Sequence, residues 1–188
     1  MNINFFAFSG LVVGITALIL TFILTIYGKH KLHRLMLLFN VAVTIWGFGF
    51  FLVGISQKAS QADFYWKLAH LGGEFISVIF THIVFLFTSL NRRKITIFIY
   101  LQAIIFLLLY YFGIIKVKIS FLYGALYYIK PADIGYFISV TFWILIAVYG
   151  FIELFKYYKK SQGVKRNQTT YLFIGMLCGF LGGLTYLF

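Results

Sequence analysis

Long apolar runs separated by short polar or basic stretches dominate the sequence. The runs approach or reach the ~20 residues that a helix needs to cross a hydrocarbon core of ~30 Å. We therefore predict six transmembrane helices, with bounds at about 5–27, 35–56, 68–90, 95–115, 134–158 and 169–188. The runs are continuously apolar rather than alternating, which excludes an outer-membrane type of barrel. The predicted class is an all-α integral membrane protein, and residues 1–188 are expected to form a single transmembrane domain.

The stretch 116–133 departs from this pattern. It is too short for a spanning helix with its loops, and it is rich in Tyr, Phe and Ile. Val117, Ile119, Phe121 and Tyr123 alternate with the residues between them. This alternation favours a short β-hairpin on the membrane surface, with an interfacial helical segment as the alternative. Asp133 precedes the next apolar run, as acidic residues do at a helix start.

The composition agrees with a membrane protein. Hydrophobic residues make up 62% of the chain, aromatic residues 22% and charged residues 11%, whereas soluble domains have about 25% charged residues. The net charge of +12 comes from Lys and Arg residues that lie mostly between the apolar runs. Because they do not form one soluble basic face, they indicate topology and anionic lipid headgroups rather than nucleic acid.

The positions of the basic residues predict the orientation of the bundle. Eleven of the 16 lie in or beside the loops 1–2, 3–4 and 5–6, namely Lys29, Lys31, Arg34, Arg92, Arg93, Lys94, Lys156, Lys159, Lys160, Lys165 and Arg166. The remainder, on the opposite side, are Lys58, Lys67, Lys116, Lys118 and Lys130. Cytoplasmic loops carry the excess of Lys and Arg. We therefore expect a multi-pass protein of the plasma membrane with its N-terminus outside and these three loops in the cytoplasm.

Helix 3 carries a polar stripe through an otherwise apolar run. His70, Glu74, Ser77 and Thr81 fall in one narrow sector of a helical wheel, and Thr88 extends it. Glu74 lies about 9 Å below the predicted outer end of the helix, at a rise of 1.5 Å per residue. An unpaired charge there is costly. Three arrangements stay open: a protonated carboxyl, a pair with His70, or a water-filled cleft.

Two interpretations of this stripe follow. His70, Glu74, Ser77 and Thr81 form a ligand or sensing site, with Trp46 and Trp66 as its walls. Alternatively, the same side chains form a buried polar cluster that fixes helix packing through hydrogen bonds.

Two further polar residues in apolar runs are expected to have structural roles. His82 points away from the stripe and is predicted to make a separate hydrogen bond between helices. Glu153, three residues before Lys156, is predicted to form a local ion pair.

Small residues mark expected helix contacts. Gly10 and Gly14 form a GxxxG pattern, and Gly175, Gly179 and Gly183 follow at i, i+4 and i+8. Such faces let two helix backbones approach closely.

No catalytic motif, phosphate-binding loop or metal-ligand set is evident. His30 and His33 lack a third donor nearby. We therefore expect no catalytic residues, metal or cofactor in this chain.

Several short motifs occur in a fixed order. They are Trp46-Gly47-Phe48-Gly49, Phe64-Tyr65-Trp66-Lys67-Leu68 with Gly72, Phe85-x-Phe87 before a basic turn, and Arg166-Asn167-Gln168-x-x-Tyr171 with Gly179, Gly182 and Gly183. Together they resemble the N-terminal seven-helix membrane region of bacterial and archaeal histidine kinases and related signalling proteins. The resemblance spans most of the chain.

The resemblance implies a signal-sensing input domain of a two-component, histidine kinase-type receptor. Such a bundle has its N-terminus outside and passes its signal to cytoplasmic PAS, kinase or cyclase domains. In that pattern a proline-bearing turn and more hydrophobic sequence follow the double glycine. Residues 1–188 end before that turn, so we expect a region truncated before its last helix, without catalytic output. The resemblance gives no ligand role to Glu74.

Membrane lipids and a small-molecule or membrane-state signal are the expected partners, and a homodimer stays open. One alternative function is a small transporter or channel subunit, with the stripe of helix 3 as part of its pathway. Another is an enzyme acting on lipid, in which His70 and Glu74 would be the acid and base.

Overall fold

Six helices and one pair of strands follow one another along the chain. The computed structural model describes residues 4–122 and 126–184. The elements are α1 Phe5–Tyr27, α2 Lys31–Gly54, α3 Ala59–Phe87, α4 Arg93–Tyr111, β1 Val117–Leu122, β2 Leu126–Pro131, α5 Ile134–Lys160 and α6 Gly163–Leu184. By length and composition, five helices in these ranges, α1 to α5, are suited to cross a membrane. The predicted class, a helical membrane bundle with a short hairpin, is confirmed.

Several helices extend further than the apolar runs indicated. α2 begins at Lys31, α3 at Ala59 and α6 at Gly163, so the predicted polar loops are largely helical. The physical reason is that the length of an apolar run reports membrane thickness and not the length of a helix. In the early turns of α3, Asp63 and Lys67 form an ion pair of 2.9 Å at a spacing of four residues, which supports helix outside the apolar run.

The segment between α4 and α5 is a β-hairpin, as the alternation favoured, and the interfacial helix is wrong. β1 and β2 pair antiparallel from Val117 opposite Pro131 to Leu122 opposite Leu126. Ile129 is buried against the ends of α2, α3 and α5. The hairpin therefore covers one end of the bundle, at the side where the sequence predicts the outer surface.

Glycines bring the backbones of α1, α2 and α3 together. A Cβ atom built on Gly47 would lie 2.6 Å from the backbone N of Gly14. One built on Gly72 would lie 2.3 Å from the carbonyl O of Ala42. Because only a hydrogen fits at such distances, α1 packs on α2, and α2 on α3, with no side chain between them.

α6 is held differently. Its described part packs against α5 through side chains, with the ring of Phe151 edge-on to Phe173 and Phe180 at centroid distances of 5.4 Å and 5.5 Å. The predicted close contact along its glycine face is not made within the described residues. A Cβ atom on Gly175 or Gly179 would meet no atom within 4 Å. This face borders a cavity.

Candidate functional site

The polar stripe of α3 divides into two parts in the structure. Ser77 and Thr81 are fully buried, and the Thr81 hydroxyl donates to the carbonyl O of Ile146 in α5 at 2.9 Å. The Ser77 hydroxyl has no hydrogen-bond partner among the described residues. His70 and Glu74 lie nearer the hairpin and line a cavity. The two interpretations of the stripe therefore apply to different residues.

Glu74 is bound across the bundle rather than along its own helix. Its Oε1 accepts a hydrogen bond from the Ser139 hydroxyl of α5 at 3.2 Å. Within the described part of the chain, its second oxygen has no hydrogen-bond partner and Glu74 makes no ion pair with His70. Of the three arrangements left open by the sequence, the pair with His70 is absent.

His70 is held by a backbone hydrogen bond and by neighbouring aromatic rings. Its Nδ1 lies 2.8 Å from the carbonyl O of Trp66, and since a carbonyl only accepts, Nδ1 carries the proton in this geometry. Its ring stacks on Tyr110 of α4, with 4.4 Å between centroids and 23° between planes. In the neutral imidazole the other ring nitrogen, Nε2, is then an acceptor. His70 therefore presents a hydrogen-bond acceptor and a ring edge to its surroundings.

The cavity has a volume of about 600 Å³. Its walls come from α1, α2, α3, α5 and α6, and Ile129 of β2 contributes from the hairpin. All 3 tryptophans of the chain line it, namely Trp46, Trp66 and Trp143. Among the described lining residues, Glu74 is the one carboxylate, and Lys and Arg do not occur. The volume lies in the range of small-molecule pockets, about 300–1,000 Å³.

The tryptophans are held in place by the backbone. The Trp66 Nε1–H donates to the carbonyl O of Tyr127 in β2 at 3.3 Å, which ties α3 to the hairpin. The Trp143 Nε1–H of α5 donates to the carbonyl O of Gly73 at 2.9 Å. Trp46 packs edge-on against Phe50, with ring centroids 4.6 Å apart. The predicted walls, Trp46 and Trp66, thus lie at the same cavity as Glu74.

Residues of α5 complete the cavity and were missed in the sequence. Tyr136, Ser139 and Trp143 all line it. They recur at i, i+3 and i+7, so the periodicity that marked helix 3 also marks this face of helix 5. The partner of Glu74, Ser139, comes from this face.

The other predicted residues occupy separate places. Gly10 and Gly14 lie in the α1–α2 contact, whereas Gly175, Gly179 and Gly183 line the cavity. Thr88, at the far end of α3, donates to the carbonyl O of Val84 in its own helix.

Two structural predictions are confirmed by hydrogen-bonding distances. His82 lies 3.2 Å from the Tyr100 hydroxyl of α4 through its Nδ1. Glu153 and Lys156 form an ion pair of 2.8 Å. Neither pair belongs to the cavity.

Comparison with known proteins gives a family. A profile described as the N-terminal 7TM region of histidine kinase matches residues 11–188. The chain belongs to this family. No curated protein and no solved structure matches it.

Membership of the histidine kinase 7TM family identifies the kind of region. The matched residues are an N-terminal sensor region rather than a catalytic domain, and no catalytic domain is seen in this chain. This agrees with several apolar spans and a multi-pass membrane protein. The family match covers the hairpin and all of the cavity lining except Phe5 and Ser9.

Proposed function

We propose that residues 1–188 form the membrane-embedded input domain of a two-component, histidine kinase-type receptor. We further propose that its signal acts at the cavity beside His70 and Glu74. The family match supports the receptor class. The cavity supports the site of action, because it joins five helices around the one carboxylate in its described lining. The transporter and lipid-enzyme alternatives draw no support from the family match.

α3 is the element that connects the cavity to the rest of the bundle. Its outer half supplies His70 and Glu74 to the cavity, and its next turns hold α5 through the hydrogen bond from Thr81 to Ile146. A ligand that binds one α3–α5 arrangement more tightly than another shifts the balance between them. At saturating ligand, the size of that shift is set by the difference in affinity for the two arrangements.

The proposed orientation places the hairpin and the Glu74 end of the cavity outside. The excess of Lys and Arg around the loops 1–2, 3–4 and 5–6 supports a cytoplasmic position for those loops. In this orientation the cavity lies in the outer half of the membrane, and α5 runs from it to the basic inner surface at Lys159 and Lys160. Membrane lipids are the proposed surroundings, and a homodimer is compatible with this arrangement.

The proposal is tested by comparing two buried threonines of α3 in the full-length protein that contains these residues. Thr81→Val removes the hydrogen bond to α5, whereas Thr88→Val removes a bond within α3 itself. We expect Thr81→Val to change the basal signalling output in cells and Thr88→Val to leave it near wild type. Membrane amounts of each variant are measured in parallel by immunoblot.

The decisive negative result concerns the whole region. If deletion of residues 1–188 leaves both the output and its response to external conditions unchanged, the region is not an input domain. Equal outputs from Thr81→Val and Thr88→Val at equal membrane amounts would show that the α3–α5 contact does not carry the signal.

A further inference from the structure

We infer that the cavity binds an organic cation with an apolar body, either an alkylamine or a quaternary ammonium amphiphile, with its head group at Glu74. This inference deepens the proposed function and rests on it for the role of the ligand in signalling. The binding site itself stands on the lining residues and their hydrogen bonds.

The charges of the lining select the sign of the ligand. Glu74 is the carboxylate of the described lining, and neither Lys nor Arg accompanies it. An anionic head group would lie beside a carboxylate with no basic partner in reach, and burying such a charge is costly. A cationic head group favours the ionised form of Glu74 and would complete an ion pair with the oxygen that Ser139 does not occupy.

The hydrogen bonds among the lining residues also favour a cationic head group. The N–H groups of Trp66 and Trp143 already donate to carbonyl oxygens, and the Ser139 hydroxyl already donates to Glu74. The Nδ1–H of His70 is likewise directed at the Trp66 carbonyl. The second oxygen of Glu74 and, in the neutral imidazole, Nε2 of His70 remain as acceptors, and the Tyr136 hydroxyl of the lining can accept as well as donate. An ammonium head group, which donates and does not accept, matches these acceptors.

The aromatic rings suit a cation as well. Three tryptophans and Tyr136 line a space that also contains Glu74. A cation placed over such rings is attracted by their quadrupole, and the attraction is strongest for tryptophan. A quaternary ammonium, which has no N–H to donate, depends on this contribution and on the charge of Glu74.

The apolar body of the ligand has room beside α6. Gly175 and Gly179 line the cavity, and a Cβ atom added to either would meet no atom within 4 Å. The lining also includes phenylalanine, valine and isoleucine side chains. An alkyl chain of an amphiphile therefore contacts apolar side chains on one side and bare backbone on the other.

The position of the tryptophans provides the assay. Because all 3 line the cavity, their fluorescence reports its occupancy. The purified full chain in neutral maltoside micelles is titrated with dodecylpyridinium, whose aromatic cation quenches indoles. Dodecyltrimethylammonium, dodecanol and dodecanoate then compete with it. These competitors share a chain length and differ in head-group charge.

We expect dodecyltrimethylammonium to displace the probe and dodecanoate to fail. Glu74→Gln should weaken probe binding at least about tenfold, because losing the partner of a buried charge costs more than one factor of ten in affinity. Glu153→Gln is the matched control, since it removes the same charge from a buried carboxylate outside the cavity. Gly179→Leu should weaken binding of every dodecyl probe by occupying part of the space beside α6.

Phosphatidylethanolamine added to the micelles distinguishes the two sources of such a head group. If it competes with the probe, the ammonium of a lipid is a ligand, and if it does not, the ligand is a free amphiphile. The inference is overturned if dodecanoate displaces the probe as well as the cation does. It is also overturned if Glu74→Gln and Glu153→Gln bind the probe equally. The first comparison uses the unaltered chain and so does not depend on the folding of a variant.

Failure of this inference and failure of the proposed function give different results. Glu74-dependent cation binding with no change in receptor output would retain the binding site and reject the sensory role. A Thr81-dependent output without cation binding would retain the sensory role and reject the ligand class.

Discussion

A single added methyl group at Gly72 should destabilise the bundle. Gly72 is buried where α3 crosses α2, and its added Cβ would lie 2.3 Å from the carbonyl O of Ala42 and 2.7 Å from the backbone N of Trp46. Ordinary contacts of a Cβ atom begin at 3.4 Å. Both atoms are backbone, so no side-chain rotation relieves the clash. Gly72→Ala must push the two helices apart by roughly 1 Å, as the difference between these distances shows.

The expected magnitude combines two opposing effects. Overpacking of a close contact costs about 1–3 kcal/mol, and a backbone clash belongs at the upper end of that range. Alanine is about 1 kcal/mol more favourable than glycine inside a helix. The net loss expected for Gly72→Ala is therefore about 2 kcal/mol. Gly179→Ala is the matched control, because its Cβ meets no atom within 4 Å, and it should gain up to about 1 kcal/mol.

The two variants are compared by unfolding in mixed micelles with increasing dodecyl sulfate, followed by far-ultraviolet circular dichroism. The free energies of unfolding should differ by about 3 kcal/mol, with Gly72→Ala the less stable. Equal midpoints for the two variants would refute the backbone contact between α2 and α3. A loss at Gly179 as large as that at Gly72 would refute the open face of α6.

Two other predictions concern the ends of helices. Ser89 has φ of 59° just after α3, where Leu90 N–H bonds to Phe85 O, so Ser89→Gly should stabilise the same unfolding transition by about 1 kcal/mol. Asp133 lies at the surface before α5, and its carboxylate accepts hydrogen bonds from the backbone N–H groups of Lys116 and Tyr136. These bonds, above all the one from Lys116, hold the pKa of the Asp133 carboxyl below its ordinary value. A lowered folded-state pKa means that stabilisation is present above the unfolded pKa and lost as pH falls through the folded one. Asp133→Ala should therefore lower the thermal unfolding temperature at neutral pH, and the difference from wild type should vanish in acid. A difference that persists below the folded-state pKa would contradict this assignment.

Most of the fold follows from the sequence because a helix that crosses lipid needs a continuous apolar run. Continuous apolar runs give the number and order of helices, and α1 has the predicted bounds, Phe5–Tyr27. The starts of α3 and α6 were placed too late because their first turns are polar. Such turns remain helical through contacts like the Asp63–Lys67 pair, which hydropathy does not register.

The candidate site was predictable in part. The stripe on helix 3 and the aromatic residues Trp46 and Trp66 do meet at one cavity. The sequence could not tell which of the stripe residues face space and which face α5, because this depends on how α5 packs, 65 residues away in the chain for Ser139. Likewise, the glycines of α6 show where a backbone is accessible, and only the arrangement of the helices shows that space lies there.

The glycine contacts make the packing of α1, α2 and α3 more rigid than the packing of α6 on α5. Where backbone meets backbone, as at Gly47 and Gly72, a helix that slides by a fraction of a turn drives its neighbour's peptide groups into its own. Movement between α1, α2 and α3 is therefore restricted to discrete steps. α6 contacts α5 through phenylalanine rings, which can adjust by rotating, so this contact permits small displacements. A response carried by α6 would pass through small intermediate displacements, whereas one carried by the first three helices would switch each molecule between discrete arrangements.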